Sequence, residues 1–330
     1  MKALVVNKGK LQLRQVKEPV ARKGETIIQV KKAGICGTDL AIVSGDYKLS
    51  KPVVLGHEIF GATTQESKGI PQGCRVTTEI NVCCGSCALC TAGLRNHCQN
   101  IETIGITRNG GFEEFVSVPV GNLHVIPRSV SDEAVVFIEP LAAAIQLTKM
   151  AQIHENSTCA VVGIGRLGLL ILQVLKLSNP KSLVAITRHS GKDERSVLAR
   201  SFGADEVYSS SKARTSIADF AQGIGFDHVV EATGSPDGID TALGLVRPRG
   251  TIHVKSTHGL PVSLDLTKIA VKELRVQGSR CGPFDEAIRL MQEKKVSTEK
   301  LISRRFPLVD YVEAFRKAAA PQMIKVIFEF

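Results

Sequence analysis

The sequence predicts an α/β protein of two domains, one β-rich and one built on a parallel sheet. Three observations carry this prediction. At 330 residues the chain is longer than one typical hydrophobic core accommodates. Residues 1–125 read as short strands such as "ALVV" and "TIIQVKKAG", joined by Gly- and Pro-containing turns. From Thr158 to about Gln277, β-prone runs alternate with helical patterns, which is the signature of βαβ units. The 43% hydrophobic and 22% charged composition is that of a globular chain.

The β-rich region holds two short polar clusters. "GICGTD" places Cys36, Thr38 and Asp39 together, and "VLGHEIFG" sets His57 and Glu58 side by side between glycines. Further on, "CCGSCALCTAGLRNHC" concentrates five of the nine cysteines. The opening residues lack the long apolar core of a secretory signal, so a disulfide framework is not expected here and a metal site is. Cys84, Cys87, Cys90 and Cys98 stand as CxxCxxCx7C, four thiolates for a tetrahedral, closed zinc site. Cys83 is left over, and His97 is not needed once four sulfurs complete the shell.

The alternating region begins with "TCAVVGIG" and "RLGLLILQVLKLS", then "SLVAIT", "RSVLARSFGA", "FDHVVEATG" and "GTIHVKS". Its first strand runs into "GIGRLG", where Gly163, Gly165 and Gly168 fill a GxGxxG frame that also contains Arg166 and Leu167. Between a strand and a helix, that frame reads as a dinucleotide-binding turn. Gly163 serves the tight turn, Gly165 the approach of a pyrophosphate to backbone N–H groups, and Gly168 close helix–strand packing. An NAD site places an acidic residue about 20 positions beyond the glycines. Here the second strand instead ends in Thr187, Arg188 and His189, with Lys192 following and no carboxylate before Asp193. A guanidinium pairs with a phosphate in bidentate fashion and a hydroxyl donates to it, so NADP is expected over NAD, with NAD still possible. Arg188 is the residue expected to discriminate. After "GSRCG", which offers Arg280 as a further cofactor contact, "PFDEAIRLMQEKK" and "VDYVEAFRKAAA" read as helices and "MIKVIFEF" as a closing strand.

Taken together, "GICGTD", "GHEIFG", the four-cysteine loop, "GGFEEF", "EPLAAA", "GIGRLG" and "IKVIFEF" resemble the zinc-dependent medium-chain dehydrogenase/reductase family, which includes alcohol, polyol and sugar dehydrogenases and threonine dehydrogenase. The resemblance implies a GroES-like catalytic domain over residues 1–140, with the structural zinc loop at 83–98. It implies a Rossmann NAD(P)-binding domain over 141–279 and a return to the catalytic domain over 280–330. It also implies two zinc ions per chain and a homodimer or homotetramer paired through Rossmann edge strands around "ELRVQGS".

Carried onto this chain, the resemblance makes Cys36 and His57 ligands of a catalytic zinc, with Glu139 of "EPL" as a third. A thiolate, an imidazole and carboxylates suit Zn²⁺, and a catalytic site keeps one position open. Glu58 is then the carboxylate that approaches the metal directly or through water. Thr38 receives the substrate proton, and Asp39 orients His57. Ala41 stands where many members have a histidine that completes a proton relay, so proton exit takes another route. Glu113 and Glu114 could help hold a hydroxyl-rich substrate. Cys74, Cys159 and Cys281 are given no role, nor are His124, His154, His228, His253 and His258.

The expected function is zinc-dependent, NADP-preferring hydride transfer on an alcohol, polyol or sugar hydroxyl, in a cytoplasmic protein. The alternative is a zinc-stabilised nucleotide-binding redox sensor without turnover. The formal charge of +10 would suit polyanions, but the basic residues are scattered and the chain has no Trp and three Tyr, so nucleic acid is not an expected partner. No apolar run approaches the roughly 18 residues that a membrane-spanning helix needs, so no membrane partner is expected either.

Overall fold

The computed structural model describes residues 1–188, 193–257 and 259–330, which leaves His189 and Lys192 outside the described residues. The chain divides into two units, Met1–Glu139 with Phe284–Phe330, and Pro140–Pro283. No described helix is long and apolar enough to cross a membrane.

The first unit is built on a seven-stranded sheet. Its order runs Leu123–Val125, Arg75–Thr78, Glu58–Thr63, Glu25–Gly34, Lys325–Glu329, Ile302–Pro307, with Phe115–Pro119 also paired to Glu25–Gly34. The long strand Glu25–Gly34 organises the sheet. Residues 25–29 pair with Phe115–Pro119, and residues 32–34 pair with the chain's last strand. Its other edge pairs from Ile28 to Gly34 with Glu58–Thr63 across an irregularity between Val30 and Lys32. That irregularity bends the strand where its neighbour changes. Phe112 packs edge-on against both Phe315 and Phe328, with the Phe112 and Phe328 centroids 5.0 Å apart.

Two glycines in this unit make room for what surrounds them. Gly56 adopts a φ of 93°, and a Cβ there would lie 2.4 Å from the Phe112 ring. The chain thus turns just before His57 with an aromatic ring packed on the turn. Immediately after Glu25–Gly34 and Ile35, the helix Gly37–Ser44 starts, with Asp39 Oδ2 accepting the Cys36 N–H at 2.8 Å. Gly45, at φ 90°, ends it.

The second unit is a six-stranded, all-parallel sheet in the order Glu206–Ser209, Ser182–Thr187, Thr158–Val162, Phe226–Glu231, Val246–Val254, Arg275–Gly278. In sequence rank that is 3-2-1-4-5-6, the doubly wound dinucleotide-binding order. Thr158–Val162 and Ser182–Thr187 are buried along their whole length, as strands covered on both faces must be. Val162, Ile186, Phe226, Val229 and Ile252 from neighbouring strands pack with Ile239 and Leu243 of the helix Gly238–Leu245. The helix Arg166–Leu177 ends at Ser178, followed by Asn179 in the left-handed region and by Pro180, which cannot continue it.

Two histidines meet inside this sheet. His228 Nδ1 and His253 Nε2 are 3.1 Å apart and the rings stack. Both titrate below the ordinary histidine range. Burial is the first cause for each, pushing His253 down to about 4, and His228 adds repulsion to it; around His228, Asp227 opposes the shift while His154 and Arg247 add to it. The unfolded chain therefore binds protons that the folded unit refuses, and stability falls as pH drops from about 6.5 towards about 4. For His253 alone the loss amounts to roughly 3 kcal/mol. Chemical denaturation of His253→Gln and the parent at pH 7 and pH 4.5 should show a shallower loss in the variant. An equal loss would exclude His253 as the source.

Candidate active site and metal centres

The four-cysteine loop brings its sulfurs together. The Sγ atoms of Cys84, Cys87, Cys90 and Cys98 all lie within 4.8 Å of one another, the one such group of potential ligands among the described residues. Backbone N–H groups of Cys84 and Asn100 each donate to Cys98 Sγ at 3.3 Å. N–H groups of Ser86 and Cys87 hold the Cys84 thiol down to about 5. Four thiolates this close repel one another, so the donor set calls for a divalent cation, and tetrahedral zinc fits it. Cys83 lies outside the cluster and receives the Arg95 Nε–H at 3.2 Å.

The second cluster lies where the turn at Gly56 meets the start of the helix Gly37–Ser44. His57 is buried, with Nδ1 3.6 Å from Asp39 Oδ1. That is beyond a hydrogen bond, and this nitrogen has no other partner. Burial works against a charge on His57, but Asp39, Cys36 and Glu139 outweigh it and hold the imidazole well above its ordinary range. Asp39 is fully buried, and that burial raises its carboxyl even though His57 and the Cys36 and Gly56 N–H groups oppose the shift. The Thr38 hydroxyl lies 4.0 Å from the Cys36 sulfur. A thiol, an imidazole and two carboxyls thus share one interior, an environment that favours a cation. Cys36, His57 and Glu139 are of the residue types that hold a catalytic zinc, although among the described residues only the four-cysteine loop has its ligand atoms gathered within 4.8 Å of one another.

Glu58 faces a different partner. Its oxygens lie 2.6 and 2.5 Å from Lys325 Nζ, and both side chains are 1% exposed. Lys325 also stands 5.5 Å from the centre of the Phe137 ring. Sequence reasoning missed Lys325, although a lysine between Ile324 and Val326 in an apolar strand was a signal that something buried needed its charge. Glu113 is buried with Oε2 lacking a partner, and burial pushes its carboxyl up to about 8 against the pull of the chain's amino terminus. Glu114 Oε2 instead accepts the Lys2 N–H at 2.9 Å.

In the parallel-sheet unit the three glycines of the first turn have distinct surroundings. Gly163 has φ 98°, and a Cβ there would lie 2.8 Å from the Ala232 carbonyl. A Cβ on Gly168 would lie 1.9 Å from Gly163 O. At Gly165 nothing lies within 4 Å, so open space faces the turn at the start of the helix Arg166–Leu177, which also carries Leu167. That opening fits a pyrophosphate. Thr187 is buried at the end of the second strand, while Arg188 is exposed and donates through Nη2 to Ser235 Oγ at 2.6 Å and to Asp237 Oδ2 at 3.3 Å. The segment carrying Ser235 is fixed by the buried Glu231, whose Oε1 accepts from Thr233 N–H and Oγ1–H and from Ser256 Oγ–H. Lys255 Nζ donates to the carbonyls of Ser279 and Arg280 at 3.1 and 2.8 Å. It thereby anchors the backbone beside Arg280.

Comparison with known proteins agrees with both units. Residues 22–128 match the alcohol dehydrogenase GroES-like domain, and residues 167–293 match the zinc-binding dehydrogenase family. Sorbitol dehydrogenase of Halalkalibacterium halodurans is 29% identical, with 99% of this chain and 98% of that protein covered. The alcohol dehydrogenase rspB of Escherichia coli CFT073, solved with NADH, is 32% identical and superposes with a TM-score of 0.90 over 100% of this chain and 99% of that one. A zinc-binding dehydrogenase of Sinorhizobium meliloti 1021, solved with NADP, is 30% identical with a TM-score of 0.89, over 100% and 99%. The chain belongs to the zinc-binding medium-chain dehydrogenase family, with a GroES-like domain and a Rossmann domain. It is an oxidoreductase of the alcohol and polyol dehydrogenase type.

Proposed function

We propose that the protein oxidises a secondary or primary hydroxyl of a small alcohol, polyol or sugar, reversibly and with NADP preferred, at a centre made by Cys36, His57 and Glu139. The observation that carries this reading is the burial of His57 against Asp39 and Cys36, with Glu139 near enough to bias its protonation. Such an interior suits a divalent cation. A zinc ion held there supplies Lewis acidity that lowers the pKa of a neighbouring hydroxyl, and a nicotinamide accepts the hydride.

The chain's own residues do the rest. Asp39, held by the Cys36 and Gly56 N–H groups, faces His57 Nδ1 at 3.6 Å as its charge partner. Thr38, beside the Cys36 sulfur, takes the hydroxyl proton and passes it on. With Ala41 where a histidine would extend a relay, the proton leaves through the cofactor ribose or water. The open space at Gly165 takes the pyrophosphate, with Arg166 and Leu167 lining the same turn and Arg280 a further contact. Arg188 takes the 2′-phosphate, at the cost of its present contacts with Ser235 and Asp237. Relatives with NADH and with NADP bound are both close to this chain in fold, and the absence of a carboxylate between Thr187 and Asp193 favours the phosphorylated cofactor.

The Rossmann sheet ends in the strand Arg275–Gly278, whose outer edge has no partner among the described strands. Leu266, Val271 and Val276 beside it are 70%, 78% and 43% exposed. An apolar, uncovered edge invites pairing with a second copy, so this edge is read as the homodimer contact, on which a homotetramer could be built.

Metal analysis with a panel of alcohols, polyols and aldoses tests the activity. The whole protein should carry two zinc ions, fall to one in Cys36→Ser and in Cys90→Ser, and reduce NADP with at least one panel member. Turnover undiminished in Cys36→Ser would refute the site. Steady-state kinetics of Arg188→Asp should show KM for NADP raised by about 10- to 100-fold, the value of a hydrogen bond between charged groups, with NAD changed far less. An unaltered NADP/NAD ratio would remove Arg188 from the selectivity. In sedimentation velocity the Val276→Asp variant should shift towards monomer, and a parent-like profile would place the contact elsewhere.

A further inference from the structure

We propose that Asp237 is a specificity-determining residue for the cofactor: it competes with a 2′-phosphate for Arg188, so that the preference between NADP and NAD is the balance of an arginine and a carboxylate. The inference rests on the reading of Arg188 as the group that takes that phosphate. Arg188 Nη2 donates to Ser235 Oγ at 2.6 Å and to Asp237 Oδ2 at 3.3 Å. In sequence no acid follows the second Rossmann strand before Asp193, yet the fold brings one to its end.

Three chain ends meet where the strand order reverses. Ser182–Thr187 and Phe226–Glu231 flank Thr158–Val162 in the sheet. Arg188 follows the first of these, and Ser235 and Asp237 lie in the loop after the second. The Gly163 N–H donates to Ile186 O, and the Ala232 N–H donates to Val162 O. A Cβ on Gly163 would lie 2.8 Å from Thr233 Cα, so the loop packs on the glycine turn itself. The contact from Arg188 to Ser235 and Asp237 therefore spans the carboxyl end of Thr158–Val162, where a doubly wound sheet takes its dinucleotide.

The loop that presents the carboxylate is tightly held. Thr233 Oγ1 accepts the Ser235 N–H at 3.1 Å, Gly234 N–H donates to Ser256 Oγ at 2.8 Å, and Gly238 N–H donates to Ser235 O at 3.1 Å. A Cβ on Gly238 would lie 2.3 Å from Thr233 Oγ1, so the loop closes only around a glycine. Asp237 then opens the helix Gly238–Leu245 without its side chain capping it. Asp193 and Asp265, at the same place in their helices, accept the N–H groups of Ser196 and Lys268. The Asp237 carboxylate is turned to Arg188 instead.

Side-chain exposures of 63% for Arg188 and 88% for Asp237 leave the pair in water, where it is weak enough to be exchanged. NAD, with a neutral 2′-hydroxyl, brings no charge to compete for it. A 2′-phosphate pairs with the guanidinium in bidentate fashion, but it arrives beside a carboxylate fixed by the loop and is repelled by it. Ser235 is neutral, and its hydroxyl turns either to accept from the arginine or to donate to the phosphate. Of the two contacts, only Asp237 opposes NADP.

The test is calorimetric titration of the full-length protein with adenosine 2′,5′-bisphosphate and with 5′-AMP, two cofactor fragments that differ only in the 2′-phosphate. Asp237→Asn should bind the bisphosphate roughly two- to five-fold more tightly, the range of an exposed charge pair, with 5′-AMP unchanged. The gain should be largest at low ionic strength and shrink as salt is raised. Asp237→Glu, which keeps the charge, should stay with the parent. Asp237 is exposed and caps nothing, so the variant keeps the fold, and its 5′-AMP affinity reports that in the same experiment.

An unchanged bisphosphate affinity in Asp237→Asn overturns the proposal, as does equal tightening of both fragments or a gain that salt does not alter. Arg188→Asp separates this inference from the reading beneath it. Bisphosphate affinity that falls in Arg188→Asp and stays at the parent value in Asp237→Asn refutes the competition alone. Affinity that is unmoved in both variants refutes the role of Arg188 and the competition with it.

Discussion

Glu58 and Lys325, two opposite charges with 1% exposure each, meet inside the first unit and constrain it. Neither could be buried without the other, because an unpaired charge in a protein interior costs far more than a single contact returns. Their union requires the last strand of the chain to lie beside Glu25–Gly34, 267 residues after Glu58. It also requires Gly34 to have no side chain and Phe137 to cover the ammonium. The discontinuous unit is thus tied across its two sequence segments by an ion pair as well as by β-pairing.

Around His57 the same interior takes the opposite form. Asp39, Cys36 and Glu139 set negative or ionisable groups against an imidazole. Glu58 is neutralised by a lysine, while His57 is flanked by acidic groups. Adjacent residues, His57 and Glu58, sit on either side of that division. The physical difference between them is the partner, since their depth is the same.

The Rossmann unit shows how far local sequence reaches. The GxGxxG frame and the alternation of strands and helices announced the parallel sheet, and each glycine has its own geometric reason in the fold: positive φ at Gly163, contact with Gly163 O at Gly168, open space at Gly165. Arg188 was legible as a cation at the end of the second strand. Its pairing with Ser235 and Asp237 was not, because those residues arrive from the fourth strand's following loop. Nor did spacing suggest the His228–His253 pair, which exists because two parallel strands lie side by side. Glu113, read as a group that helps hold substrate, is buried in the fold with Oε2 lacking a partner.

By itself the sequence determined what depends on neighbours in the chain: the four-cysteine loop, the dinucleotide turn and the clustering of Cys36, Thr38 and Asp39. Each is specified within about fifteen residues, where spacing fixes geometry. The tertiary structure alone decided which carboxylate meets which cation. Glu58 sits beside a candidate metal ligand in sequence, yet the register of three strands delivers it to Lys325 across Gly34. Strand register is set by the burial of a whole sheet face, and no local motif records it.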